Sequence, residues 1–245
     1  MNLPRILVCA PTANAKEYCF KEWLDNVMGF TYPFYNIALF DNSLDNGEFT
    51  LKMNNYYRVN YGDNQKFIAY NTVNKNPSNS VIERMADSHN QCSKAAIQGD
   101  YDYILHLETD VFPPKDVIEH LLFHKKEVVG AVYYRDEGVF RKPMLQRHIY
   151  KSPRNIMADN FSPQDDTCFI DGGLKKVASV GLGCVLIKIN VLKKITFRFE
   201  KGQNIHPDTF FSEDCFRNRV TIYCDTSIIC RHDNKAWGIY GVNYS

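Results

Sequence analysis

Two carboxylates one residue apart, Glu108 and Asp110, follow the apolar run of residues 103–107 and stand just before Pro113 and Pro114. Proline cannot continue a strand interior, so the run reads as a strand that ends at the acids. Side chains alternate along an extended chain, which predicts that Glu108 and Asp110 leave the same side at the strand's C-terminal end. Open α/β sheets place their ligands at that edge. Two hard oxygen ligands there suit Mg²⁺ or Mn²⁺, whose usual companion is a phosphate. The segment taken alone is equally compatible with solvated acids before a turn.

The elements that must position these acids follow a regular order. Residues 5–10 read as a buried strand ending at Pro11 and Thr12. Phe20, Trp23, Leu24, Val27 and Met28 then recur at the spacing of an amphipathic helix. A second strand over 35–40 closes on Asp41, Asn42 and Ser43. Strand, helix, strand predicts a βαβ unit and a parallel sheet. Residues 44–80 are polar, with weak strand patches such as 49–53. Val81, Met85, Cys92, Ala95 and Ala96 fit a helix leading to the acidic strand, and a further helix is expected over 115–124 and a strand over 128–134. The span 135–176 is polar, broken by Pro143, Pro153 and Pro163, and reads as a long loop. Residues 178–188 form a strand that opens with Gly181 and Gly183. Ser212 reads as a helix N-cap before Glu213 and Asp214, and two strands are expected over 220–225 and 227–232.

Bulk composition narrows the function classes. The chain has 245 residues, 44% hydrophobic and 23% charged, enough to bury a proper core. A net charge of +1 offers no whole-surface attraction to nucleic acid or membrane. A basic cluster of Arg141, Lys142, Arg147, His148, Lys151 and Arg154 could meet an acceptor phosphate, or form a solvated loop face. The eight cysteines form no CxxC pair, so free buried thiols in a reducing compartment are expected rather than zinc. The apolar run 6–10 is too short for a signal-peptide core, and no stretch reaches membrane-span length. These readings point to a cytoplasmic protein without stable membrane insertion, with nucleic acid entering only as an acceptor.

Four segments converge on strand ends: Pro11-Thr12, Asp41-Asn42, Glu108-Thr109-Asp110 and Arg231-His232-Asp233. In order and chemistry they resemble a GT-A glycosyltransferase, most closely the small family-2-like nucleotide-diphosphosugar transferases, over about residues 4–236. The resemblance implies a three-layer α/β fold with a mainly parallel central sheet, one domain over 1–245, with a nucleotide-binding half to about residue 134 and an acceptor-side half beyond it. It implies a metal-dependent transfer of a sugar from a nucleotide diphosphate, UDP favoured, to a hydroxyl acceptor.

In such enzymes the loop after the first strand and the acid ending the second hold the nucleotide, which points to Pro11, Thr12 and Asp41. Arg84 stands where relatives often carry a basic residue near the diphosphate, with an ordinary surface arginine as the alternative. The acidic signature is usually Asp-x-Asp; here Glu108 replaces the first acid. The family's last acid binds the metal, a role that falls on Asp110, and Glu108 faces the ribose or the metal. His232 resembles the late histidine that completes the shell of Mn²⁺ or Mg²⁺. Gly181 and Gly183 resemble the floor of the sugar site, although a tight bend explains them equally well. Glu213 and Asp214 resemble the pair of inverting members, in which the second acid deprotonates the acceptor; helix capping is the alternative, and retaining members of the fold lack such a base, so the stereochemistry stays open. Two other classes compete. A nucleotidyl transferase wants a glycine-rich basic loop after the first strand, and residues 10–14 carry neither glycine nor lysine before Lys16. A carbohydrate-binding protein could keep the fold without catalysis. The acceptor class and the oligomeric state are not written in these residues.

Overall fold

Alternating burial along β1 (Ile6–Thr12) sets the architecture: Ile6, Val8 and Ala10 join one apolar layer, while Leu7 and Cys9 join another. A strand buried on both faces must sit between helices. The computed structural model describes residues 3–72, 80–137, 140–152, 155–160, 168–203 and 205–233. Beside β1 lie β2 (Tyr35–Asp41), β3 (Phe67–Asn71) and β4 (Tyr103–Leu107), all parallel. On the far side of β4 come β13 (Cys184–Lys188), β6 (Val128–Val132), β14 (Ile222–Ile229) and β11 (Leu174–Val177). The eight-stranded order is β11-β14-β6-β13-β4-β1-β2-β3, with β13 and β11 running against the rest. The expected mainly parallel sheet is therefore observed.

Helices cover both faces. One layer receives α1 (Glu17–Met28), α2 (Glu48–Tyr61) and α4 (Val117–Phe123), through residues such as Trp23, Met53 and Ile118. The other receives α3 (Val81–Gln98), α5 (Ile189–Leu192) and α6 (Pro207–Arg217), through Cys92, Val191 and Phe211. Ser80 is the N-cap of α3: its hydroxyl accepts a 3.2 Å bond from the Glu83 amide three residues on.

Helix α2 corrects the weak strand read over 49–53. Phe49, Leu51 and Met53 satisfy a period of two, but Phe49, Met53 and Tyr57 satisfy a helical one, and the helix buries those three while Leu51 is 64% exposed. The Asp45 carboxylate accepts from the Gly47 and Phe49 amides and starts the helix. The presumed loop over 135–176 is also partly regular. It holds β7 (Tyr134–Glu137), β8 (Phe140–Pro143), β9 (Leu145–Ser152) and β10 (Asn155–Asn160), paired as β7–β8 and β9–β10, with β12 (Ser179–Val180) against β9.

The two late strands expected over 220–232 are β14, whose register against β6 shifts between Asp225 and Ile229, and a short β15 (Arg231–His232). Ser212 is not an N-cap. It lies inside α6, where its hydroxyl donates to the Asp208 carbonyl at 3.0 Å. All eight cysteines are free and seven are buried. No helix among the described residues is long and apolar enough to cross a membrane.

Candidate metal and nucleotide site

The central acids meet through a turn rather than by strand alternation. Strand β4 ends at Leu107, and the Val111 amide donates back to the Glu108 carbonyl at 3.0 Å. Thr109 is fully buried and shares a 3.0 Å hydrogen bond with the hydroxyl of Thr12, tying this turn to the end of β1. Directly after the turn, β5 (Val111–Phe112) pairs antiparallel with β15 and sets His232 opposite Val111. The Asp233 amide closes the join by donating to the Asp110 carbonyl at 2.8 Å. Residues more than 120 positions apart in sequence are thereby fixed side by side.

Among the described residues, Glu108, Asp110 and His232 form a candidate metal-binding group, with one ligand atom from each lying within 4.8 Å of the others. His232 Nδ1 donates to the Tyr134 carbonyl at 2.8 Å, so that in the neutral form of the ring Nε2 carries the lone pair. Nε2 lies 3.6 Å from Asp110 Oδ2, beyond hydrogen-bond range. Both atoms are buried without a hydrogen-bond partner among the described residues. Buried polar atoms are rarely left so. A divalent cation is a chemically suitable partner for an imidazole nitrogen and a carboxylate oxygen.

Sequence reasoning missed Lys16, the last residue of the 3-10 turn (Asn14–Lys16) between β1 and α1. Its ammonium donates to Asp110 Oδ1 at 2.9 Å and to Glu108 Oε2 at 3.2 Å. Burial works against its charge, but the two carboxylates hold its pKa well above the ordinary lysine range. Burial would likewise raise the Asp110 carboxyl, yet Lys16 and His232 hold it well below the usual carboxylate range. Burial disfavours the charged form of His232, and the neighbouring Asp110 outweighs it to raise the imidazole pKa.

These groups border a cavity of about 390 Å³, within the ~300–1,000 Å³ range of small-ligand sites. Pro11, Thr12, Lys16, Glu108, Gly181 and His232 are on its wall. Asp110 lies behind Lys16, with no exposed surface.

Other expected residues are placed differently. Asp41 is fully buried; it accepts from the Ser43 amide at 2.9 Å, from the Ser43 hydroxyl, and from the Thr50 hydroxyl at 2.7 Å. Both of its oxygens therefore hold the turn leading to α2, and Asn42 faces the cavity instead. Arg84 is off the cavity wall, where α3 presents Val81, Met85 and His89. A Cβ at Gly181 or Gly183 would overlap the Tyr133 ring, and the Gly183 amide donates to the Tyr133 hydroxyl at 3.0 Å. Close packing of a buried tyrosine, rather than ligand approach, accounts for Gly183.

Glu213 and Asp214 are not on the cavity wall. Arg198 binds both at 2.8 Å, and Arg217 binds Glu213 at 2.8 Å. The acid of α6 that does reach the cavity is Asp208, near the helix start. Burial raises its pKa; His206 opposes that and the charge of Glu108 adds to it. The sequence signal for Asp208 was His206-Pro207-Asp208, with proline at the first helical position. In the basic cluster, Arg141 pairs with Asp136 at 2.9 Å and Lys142 reaches the cavity, while Arg154 lies outside the described residues.

No protein-family model matches the chain, and no curated protein matches it. Among solved structures it is similar to GalNAc-T7 with UDP, GalNAc and Mn²⁺, with a TM-score of 0.63 at 12% identity. That alignment covers 99% of this chain and 45% of the other, so this chain spans about half the length of that protein. A second likeness, to A197 from STIV, covers 95% of this chain and 87% of that one at 15% identity, with a TM-score of 0.48. At such identities the first likeness establishes fold alone. The chain has the α/β architecture of a GT-A glycosyltransferase.

Proposed function

We propose that this protein transfers a sugar from a nucleoside diphosphate donor to a hydroxyl acceptor, with a divalent cation held by Asp110, His232 and Glu108. The observation that carries this reading is the pair of buried, unpartnered atoms, Asp110 Oδ2 and His232 Nε2, beside a cavity at the strand ends of a GT-A fold. Mn²⁺ suits mixed imidazole and carboxylate ligation better than Mg²⁺. Bound there, the cation would supply positive charge where the departing diphosphate becomes more negative. UDP and Mn²⁺ in the GalNAc-T7 structure support the choice of nucleotide and ion.

The protein's own groups divide the remaining work. Pro11 and Thr12 border the nucleotide side, and Asp41 acts by fixing the turn that presents Asn42. In the transfer, the acceptor oxygen bonds the anomeric carbon as the bond from that carbon to the phosphate oxygen breaks, and the acceptor proton passes to a base. We assign the base to Asp208, whose raised pKa makes it a stronger base than an ordinary carboxylate. This replaces Asp214, which is engaged by Arg198 away from the cavity. Direct displacement with such a base inverts the anomeric centre.

The deciding experiment is a panel of nucleotide sugars with Mn²⁺, read by nucleotide release and by the anomeric configuration of the product. Release from one donor, lost on chelation and in Asp110→Asn, is expected. Cation-independent binding with no release from any donor would favour a carbohydrate-binding role.

A further inference from the structure

The ammonium of Lys16 already engages both carboxylates that a divalent cation at this site would bind. It uses one oxygen of each carboxylate, at 3.2 and 2.9 Å, while Asp110 Oδ2 and His232 Nε2 stay unpartnered. Lys16 therefore offsets half of the acids' charge without completing the site. Asp110 needs this, since a fully buried carboxylate without a countercharge is strongly destabilising. A divalent ion taking Asp110 Oδ2 and His232 Nε2 would lie beside that ammonium and draw on the same two carboxylates, so the two cations repel each other and compete for Glu108 and Asp110. That competition favours the departure of one cation.

Lys16 is built to be the one that leaves. It belongs to a short 3-10 turn rather than a strand, its side chain is 18% exposed, and it borders the cavity. A four-carbon stem with a compact charge can swing without moving the backbone.

We propose that Lys16 is a resident cation that holds the metal site closed and is exchanged for the incoming divalent ion, after which its ammonium turns into the cavity and binds the donor's diphosphate. This rests on the metal-dependent reading above. It makes cation entry and nucleotide binding cooperative: the ion frees the lysine, and the phosphates give it a new partner.

The test separates the two roles by sign. Mn²⁺ binding to nucleotide-free protein is measured by calorimetry, and UDP binding is then measured at saturating Mn²⁺. Lys16→Met, of similar length and uncharged, is expected to bind Mn²⁺ about 10–100-fold more tightly, because a competing state is removed. The same variant is expected to bind UDP about 10-fold more weakly, through loss of a charge-assisted contact. Opposite signs from one substitution are not expected of a merely structural lysine. Equal or weaker Mn²⁺ binding would overturn the exchange while leaving the metal site in place. No Mn²⁺ binding by either protein, with or without UDP, would overturn the metal-dependent reading itself. If Lys16→Met does not fold, the wild-type protein still decides the matter. Acetylation of Lys16 by an amine-reactive ester, followed by peptide mass spectrometry, is expected to be slow without Mn²⁺ and faster with it. An unchanged rate would overturn the proposal.

Discussion

Two acid pairs are alike in this sequence's chemistry and differently engaged in its structure. Glu108 and Asp110 follow a central strand; Glu213 and Asp214 lie in the last helix. Each pair is engaged by basic side chains: Lys16 for the first, Arg198 and Arg217 for the second. In the first, the base leaves a carboxylate oxygen and an imidazole nitrogen unserved, and Asp110 has no exposed surface. In the second, planar guanidinium groups match the carboxylates, Arg198 also stacks over Phe210 at 4.1 Å, and solvent reaches both partners. A lysine on a flexible stem in an incomplete site is open to exchange on the proposal above. An arginine fork with several partners holds a helix in place. The difference separates a site from a brace.

The largest expected effect breaks the first pair. Asp110→Asn should weaken Mn²⁺-dependent UDP binding by more than ~100-fold, exceeding the usual loss from altering a metal ligand's supporting contacts. Calorimetry reads this directly, with circular dichroism to check that the fold survives. Unchanged affinity would remove Asp110 from the metal.

Next, Asp208→Asn should lower kcat by roughly 10²–10⁴-fold while leaving UDP and Mn²⁺ affinity near normal, the usual loss for a positioned base. A product that retains the donor's anomeric configuration would count against the base role.

The counterpart in the second pair should be mild. Asp214→Asn leaves Arg198 with Glu200 and Glu213, so denaturant unfolding should show a loss of about 1 kcal/mol or less, with little change in kcat. A kcat loss matching that of Asp208→Asn would return the base role to Asp214 and erase the difference between the two pairs.

The smallest effect asks whether other polar groups on the acidic strand share its chemistry. His106 is fully buried, packs against His89 and Phe197, and has neither ring nitrogen partnered among the described residues. Burial lowers its pKa to about 3. The unfolded chain therefore takes up a proton first as pH falls below the ordinary histidine range, and stability declines from about pH 6.5 toward 3. His106→Leu should flatten this decline between pH 7 and 5 without altering Mn²⁺ binding. A Tm profile as steep as wild type would assign the pH dependence elsewhere.

Much of the sheet was legible because its strands are buried on both faces and read as apolar runs; β1, β2, β4 and β6 were all found this way. Helix α1 was legible for the same reason, since its apolar residues recur at a single helical spacing. Helix α2 was not, because Phe49, Leu51 and Met53 fit two periods and only packing against β3 decides which face is buried. The hairpins beyond Tyr134 were missed because their strands are polar and paired mainly with one another.

For the site, sequence order by itself brought Pro11, Thr12, Glu108, Asp110 and His232 to strand ends, since a parallel sheet carries every C-terminal strand end to one edge. Which side chains then meet was left to tertiary structure. The pairing of β5 with β15 sets His232 beside Asp110 across a separation of 122 residues, and no local preference encodes such a pairing. The direction taken by Lys16 out of its turn, and the rotation of α6 that turns Asp208 inward while Asp214 meets Arg198, depend on what each surface packs against. Residue types set the available chemistry; long-range packing chose the residues that carry it.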